Sequence, residues 1–231
     1  MRIDKYLADC GLGTRSEVKK HIKAKQITVN GEVVLKPEQK MDENCDVVCF
    51  KGKPISYEKY VYYLLHKPAG CVTAKQDNVH KTVMEFFPKE IRSKDIAPVG
   101  RLDLDTEGLL LFTNDGPLTH HLLSPTHHIP KTYYAVLDKE VPESAVELFK
   151  NGVDIGDDKL TLPAELEILS SKEAELTIHE GRFHQVKRMF ETVGCTVTYL
   201  KRLSMGSLLL GDLEKGEYRK LTEEEVQALQ D

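Results

Sequence analysis

Two stretches of the chain carry the residue types best suited to chemistry. In GRLDLDTEGLLL, Gly100 to Leu111, one cation and two carboxylates alternate with leucine: Arg101, Asp103 and Asp105 around Leu102 and Leu104. If that stretch is extended, the three charges share one face, where a carboxylate can serve as acid, base or nucleophile. A solvated strand edge tied by an Arg/Asp ion pair has the same residues, so spacing alone leaves both readings open. In EGRFHQVKRMF, Glu180 to Phe190, the residues His184, Lys187 and Arg188 recur at i, i+3 and i+4. Phe183, Val186, Phe190 and Val193 have helical spacing on another side and are expected to be buried. The polar side can meet a carboxylate or a phosphate, although an ordinary amphipathic helix has the same pattern. Lys131-Thr132-Tyr133-Tyr134 adds aromatics that can stack on a base or pack in a core.

The elements that must position these residues are legible from periodicity. Leu109 to Phe112, closed by Asn114-Asp115-Gly116, reads as a buried strand. Another strand begins at Tyr60 and enters the turn His66-Lys67-Pro68-Ala69-Gly70. Strands are expected around 131–137, 164–169, 173–178 and 196–203, and helices near 117–123, 143–151 and 183–193. The closing LTEEEVQALQ reads as a surface helix whose first-turn glutamates suit its dipole. Strands and helices do not alternate regularly, so the fold class is α+β rather than a doubly wound sheet.

At the N-terminus, Ile3, Tyr6 and Leu7, then Val18 and Ile22 beyond Gly11 and Gly13, predict two short helices. Ile27, Val29, Asn30-Gly31 and Val33 predict a tight hairpin, because a type I′ turn needs positive φ at both central residues. Residues 44–58 are polar and contain Gly52 and Pro54, which reads as a linker or seam. Two domains are therefore expected, 1–58 and 59–231.

The net charge of −5 conceals a segregation. Residues 1–40 hold nine Lys or Arg against five acids, a net of +4, and the remainder is net −9. A basic module on an acidic body suggests a nucleic-acid contact localised at one end. Arg15, Lys19 and Lys23 recur on one helical side and would give phosphates a track to follow. No apolar run approaches the roughly 20 residues that span a bilayer, so no membrane association is expected. MRIDKYLADC has charges where a leader would be apolar, and five scattered cysteines fit free thiols in a reducing cytoplasm. Cys45 and Cys49 lack a nearby second ligand pair, and the spacing of His120, His121, His127 and His128 fits no familiar zinc motif, so no metal is expected.

RIDKYLADCGLGTRSEVKKHIKAKQITVNGEVV, residues 2–34, resembles the small S-four RNA-binding domain, with Thr14 in place of the usual serine before Arg15. GRLDLDTEGLLL, KTY and EGRFHQVKRM together resemble the three motifs of the pseudouridine synthases that carry this domain at their N-terminus. SPTHHIPKTY, Ser124 to Tyr133, together with HKPAG, is most similar to the members acting on small-subunit ribosomal RNA. The resemblance implies a small RNA-binding domain of two helices and a hairpin, followed by a larger catalytic domain on a mixed, mainly antiparallel sheet. It implies isomerisation of a uridine to pseudouridine in 16S ribosomal RNA, of the uridine 516 type, by a cytoplasmic monomer that needs no cofactor. The RNA partner would be a partly assembled small-subunit particle.

Carried over by position, Asp103 is the catalytic aspartate, Tyr133 packs on the uracil and Lys187 is the basic partner that favours the Asp103 carboxylate. Arg101 positions the first motif or contacts a phosphate, and Leu200 lines the pocket. His184 and Gln185 are structural, and Asp105 has no assigned role. A glycosidase would need Asp103 and Asp105 to straddle a bond, and sugar platforms usually use the tryptophan this chain lacks. A non-catalytic RNA-binding factor would leave Asp103 and Lys187 without a task.

Overall fold

The computed structural model describes residues 1–43, 45–55 and 58–230. The chain divides into two units, Met1–Val61 and Tyr62–Asp231. In the first, α1 (Ile3–Asp9) and α2 (Arg15–Lys23) pack on a four-stranded sheet of β1 (Ile27–Val29), β2 (Glu32–Val33), β3 (Val48–Phe50) and β4 (Lys53–Ile55), in the order β2-β1-β3-β4. Ile3, Leu7, Val18, Ile22, Ile27, Val34 and Val48 form its core. Asn30 and Gly31 both take positive φ, 51° and 85°, as the tight hairpin requires. The hydroxyl of Thr14 accepts from the Glu17 backbone N–H, and Glu17 accepts in return from the Thr14 backbone. This capping box starts α2 and accounts for the hydroxyl residue before Arg15.

The expected linker over 44–58 is corrected by this sheet. Residues 48–55 form the β3–β4 hairpin, and β3 pairs antiparallel with β1. Its strands have only three residues each, too short for their alternation to stand out against a polar background.

The second unit holds β5 (Tyr62–Lys67), a 3₁₀ turn (Val83–Phe86), α3 (Lys89–Arg92), β6 (Ala97–Pro98), β7 (Glu107–Thr113) and α4 (Gly116–Leu123). Then come β8 (Lys131–Leu137), α5 (Ser144–Lys150), β9 (Glu165–Ser170), β10 (Glu173–Ile178), α6 (Gln185–Thr192) and β11 (Val197–Met205). β12 (Leu208–Leu209), β13 (Tyr218–Lys220) and α7 (Glu223–Gln230) complete it. The sheet runs β13-β5-β7-β11-β8-β10-β9, with β6 beside β7 and β12 beside β11. All its described pairs are antiparallel except β7 with β11, so the fold is α+β on a mixed, mainly antiparallel sheet, as expected.

β5 and β7 are buried along their whole length, which explains why both read as apolar runs rather than alternating strands. Against the sheet, Phe149 of α5 meets Phe190 of α6 edge-on, with ring centroids 5.5 Å apart. α7 carries Glu223, Glu224 and Glu225 in its first turn and buries Leu229.

The parallel seam between β7 and β11 is unusually close. Gly108 has φ +106°, and a Cβ there would lie 2.6 Å from the Arg202 backbone nitrogen and overlap its carbonyl. Only glycine fits where two backbones approach this way. Gly108→Ala is expected to cost about 3 kcal/mol or more, since it adds both strain and overlap. Thermal unfolding checks this, and an unchanged Tm would contradict the close seam.

Candidate active site

The first wall of the site is the loop from Arg101 to Thr106, which precedes β7. It turns at Leu104 and Asp105 instead of running extended, so Asp103 and Asp105 do not share a strand face as the alternation suggested. The cause lies in the segment after β5. The Lys67 ammonium donates to the carbonyls of Asp103 (2.9 Å), Thr106 (2.8 Å), Leu104 (3.4 Å) and Pro68 (3.1 Å). Thr73 Oγ1 donates to the Leu102 carbonyl at 2.8 Å and accepts from its N–H at 3.2 Å, while the Gly70 N–H donates to the Leu104 carbonyl. A loop bound at so many carbonyls curls around the cation. Burial pushes the Lys67 ammonium below its ordinary pKa, and nearby acids, Asp105 and Asp103 among them, oppose that shift.

The second wall is α6 and the turn that leads into it. Gln185, buried, accepts from the Arg182 N–H at 3.0 Å and donates to Glu180 Oε1 at 3.0 Å. His184 takes a left-handed conformation, φ 49°, and caps the helix, which therefore starts at Gln185. This breaks the expected helical register at its first turn. Phe183 is 75% exposed rather than buried, and its ring stacks on that of His184 with centroids 3.8 Å apart. Val186 and Phe190 are buried as expected. Arg188 does not share the task of His184 and Lys187, because it pairs with Asp157 at 2.6 Å and donates to the carbonyls of Phe183 and Ile155.

Lys187 bridges the two walls. Its Nζ lies 3.2 Å from Asp103 Oδ2 and donates to both oxygens of Asp105, at 2.7 and 2.9 Å. His184 Nε2 is 3.6 Å from Asp103 Oδ1. Burial opposes the charge on Lys187, but Asp105 and Asp103 outweigh it and hold the ammonium above its ordinary value. Burial likewise opposes the Asp105 carboxylate, and Lys187 holds it below the usual carboxylate range.

The sheet supplies the floor. Tyr133 on β8 is opposite Arg202 on β11, and Leu200 is opposite Ala135, so Tyr133 and Leu200 lie on one face. Arg101, Asp103, Tyr133, Lys187 and Leu200 line a single pocket of about 80 Å³, with Thr106 and His184. The Thr106 hydroxyl is buried without a partner. All five residues proposed for this site from the sequence are thus brought together. Arg15, Lys19 and Lys23 lie in the other unit, exposed along α2. Lys67 and Thr73 were not singled out by the sequence; only the HKPAG turn signal pointed near them. Tyr134, on the opposite face from Tyr133, bonds Glu173. His121 and His127 pack edge to face, and among the described residues no group of three or more His, Cys, Asp or Glu could hold a metal ion. No helix among the described residues is long and apolar enough to cross a membrane.

Residues 61–192 match the RNA pseudouridylate synthase family, and residues 1–47 match the S4 domain. An uncharacterized RNA pseudouridine synthase of Bacillus subtilis (strain 168), YtzG, is 42% identical over 99% of this chain and 98% of its own length. The ribosomal small subunit pseudouridine synthase A of Escherichia coli (strain K12) is 41% identical, covering 98% of each chain. A crystal structure of a pseudouridylate synthase superposes with a TM-score of 0.71 at 38% identity over 99% of both chains. The chain belongs to the RNA pseudouridine synthase family, whose members are isomerases, and it carries an S4 domain at its N-terminus.

Because Lys187 holds the aspartate-bearing loop against the helix, Lys187→Met is expected to lower single-turnover rate on the order of 10²-fold, with RNA affinity changed far less. Normal single-turnover rates with weakened binding would assign Lys187 to RNA contact instead.

Proposed function

We propose that this protein converts a uridine of small-subunit ribosomal RNA to pseudouridine, with Asp103 as the catalytic carboxylate. The carrying observation is the Asp103–Lys187 ion pair at the wall of a pocket floored by Tyr133 and Leu200. The relatives named for the small ribosomal subunit, similar over nearly the whole chain, support that class of RNA. Uridine 516 of 16S RNA is the target within this reading, in a partly assembled particle, and the enzyme acts as a monomer.

The reaction breaks the bond between C1′ and N1, turns the uracil and joins C5 to C1′, and the proton leaving C5 is balanced by one gained at N1. It balances in atoms and electrons without a cofactor. A carboxylate at Asp103 serves either of two routes: attack on C1′ to form an ester, or removal of the C2′ proton to form a glycal. The target nucleotide must leave its stack to reach the pocket, where the Tyr133 ring replaces lost stacking and Leu200 offers an apolar surface. The unpaired Thr106 hydroxyl can meet a polar edge of the base. Lys187, 3.2 Å from Asp103 Oδ2, holds that carboxylate in position, and Arg101, exposed at the rim, meets RNA phosphate.

Residues 1–58 act as the RNA-binding module and 59–231 as the catalytic domain in this reading. The exposed Arg15, Lys19 and Lys23 give the RNA backbone its track along α2.

A map of pseudouridines in ribosomal RNA with and without this protein tests both reaction and target. One small-subunit site should disappear with it, and an unchanged map would remove the reading. Asp103→Asn is expected to lower isomerisation at least roughly 10³-fold while leaving Tm and most RNA affinity intact. Retention of more than a few per cent of activity, with deamidation excluded, would take Asp103 out of the reaction. Neutralising Arg15, Lys19 and Lys23 should flatten the dependence of log affinity on log salt by about 0.7 to 0.9 per lost phosphate contact. Saturated single-turnover rates should stay near normal; an unchanged slope would show that α2 does not track the RNA.

A further inference from the structure

A second cavity of about 350 Å³ adjoins the catalytic pocket and shares Arg101, Tyr133, Gly181 and Arg182 with it. Its floor continues the same sheet face. Lys131 lies two residues before Tyr133 on β8, and Arg202 two residues beyond Leu200 on β11. A two-residue advance along a strand is about 7 Å, within the span of one nucleotide.

Arg202 is only 2% exposed, and among the described residues no carboxylate forms an ion pair with it. Its Nε donates to the Leu109 carbonyl at 2.8 Å, while Nη2 is buried with no partner at all. Lys131 stands beside it, half-buried, and among the described residues its ammonium donates only to the Ile129 carbonyl. Burial first, and then the Arg202 charge, pushes Lys131 down to about 8. The one acid lining the cavity is already engaged: Glu180 accepts from Leu162 N, Gln185 Nε2 and Arg182 Nε. A buried guanidinium beside a half-buried ammonium, without a counter-charge, is costly unless an anion completes the pair. A guanidinium with a free donor is suited to phosphate oxygens.

We propose that this cavity is a phosphate subsite, in which Lys131 and Arg202 take a phosphodiester of the RNA strand flanking the target uridine. The proposal rests on the pseudouridine synthase reading, from which the position beside the base pocket follows. The subsite fixes the backbone while the base is turned into the neighbouring pocket, so it contributes to placing C1′ against Asp103 rather than to overall affinity alone.

The test pairs RNA and protein changes. Substrate RNAs carry an uncharged methylphosphonate at one or the other phosphate flanking the target, and each is assayed with wild type, Lys131→Met and Arg202→Met. Both kcat/KM for pseudouridine formation and equilibrium affinity are measured, so binding is read even if isomerisation is not. Wild type should lose about tenfold at one of the two positions, the size expected for a charge-assisted contact. Lys131→Met should lose a similar factor on unmodified RNA and less than about twofold more on the neutral RNA, because the contact is already gone. Thermal unfolding identifies a variant that fails to fold; should Arg202→Met be one, Lys131→Met carries the cycle alone. Indifference of wild type to both substitutions, or an undiminished penalty in Lys131→Met, overturns the subsite. Occupation by inorganic phosphate, with no methylphosphonate effect, would assign the cavity to a free anion and also overturn the RNA assignment. Failure of wild type to form pseudouridine on any unmodified RNA would count against the reaction itself, whatever the affinity cycle shows.

Discussion

A single buried ammonium shapes the loop on which the proposed chemistry depends. Lys67 leaves water entirely, which is costly for a charge, and it is repaid by carbonyls that a sharp loop would otherwise leave without donors. Each group thus satisfies the other: the loop curls because the cation is there, and the cation is tolerated because the loop supplies oxygens. With Thr73 bonded to both polar groups of Leu102, the backbone of 102–106 is held from β5 and the segment after it. Asp103 is thereby aimed across at α6, where Lys187 receives it. Removing one partner of such a buried charge typically costs about 3–5 kcal/mol, so this loop and the stability of the adjoining strands β5 and β7 are coupled.

The sheet face under the loop is divided by chemistry along its strands. Tyr133 and Leu200 offer an aromatic and an aliphatic surface, as a planar base requires. Lys131 and Arg202, one step further along the same two strands, offer charge. The parallel seam at Gly108 and Arg202 brings β7 against β11 and so joins this face to the loop bearing Asp103. α6 closes the third side, its start set by the Gln185–Glu180–Arg182 network rather than by helix propensity.

The strands that carry the site were legible because their apolar runs and alternation are properties of a few adjacent residues. Leu109 to Phe112 and 131–137 belong to this class. The same holds for the Asn30-Gly31 hairpin, where two positive φ angles select the residue types. The loop at Arg101–Thr106 was not legible, since its alternation mimics a strand and its turn is imposed by Lys67, 36 residues away from Asp103. Phe183 was read as core from its spacing, but the left-handed His184 rotates it out to solvent. Lys131 was read only as the start of the KTY motif and Arg202 not at all, because each looks like an ordinary polar residue in an alternating strand. Their shared burial exists only once β8 and β11 are paired. The five pocket residues were found through family motifs; spacing alone left a catalytic carboxylate and a structural ion pair equally open.

The most direct measurement of the central claim uses small-subunit ribosomal RNA labelled with tritium at C5 of uridine. Joining C5 to C1′ displaces the hydrogen at C5, so isomerisation at one site should release one equivalent of tritium per RNA while the strand stays intact and no free uracil appears. Free uracil with an abasic strand would identify bond cleavage instead of isomerisation. No tritium release from either the free RNA or the partly assembled particle would contradict the account at its centre.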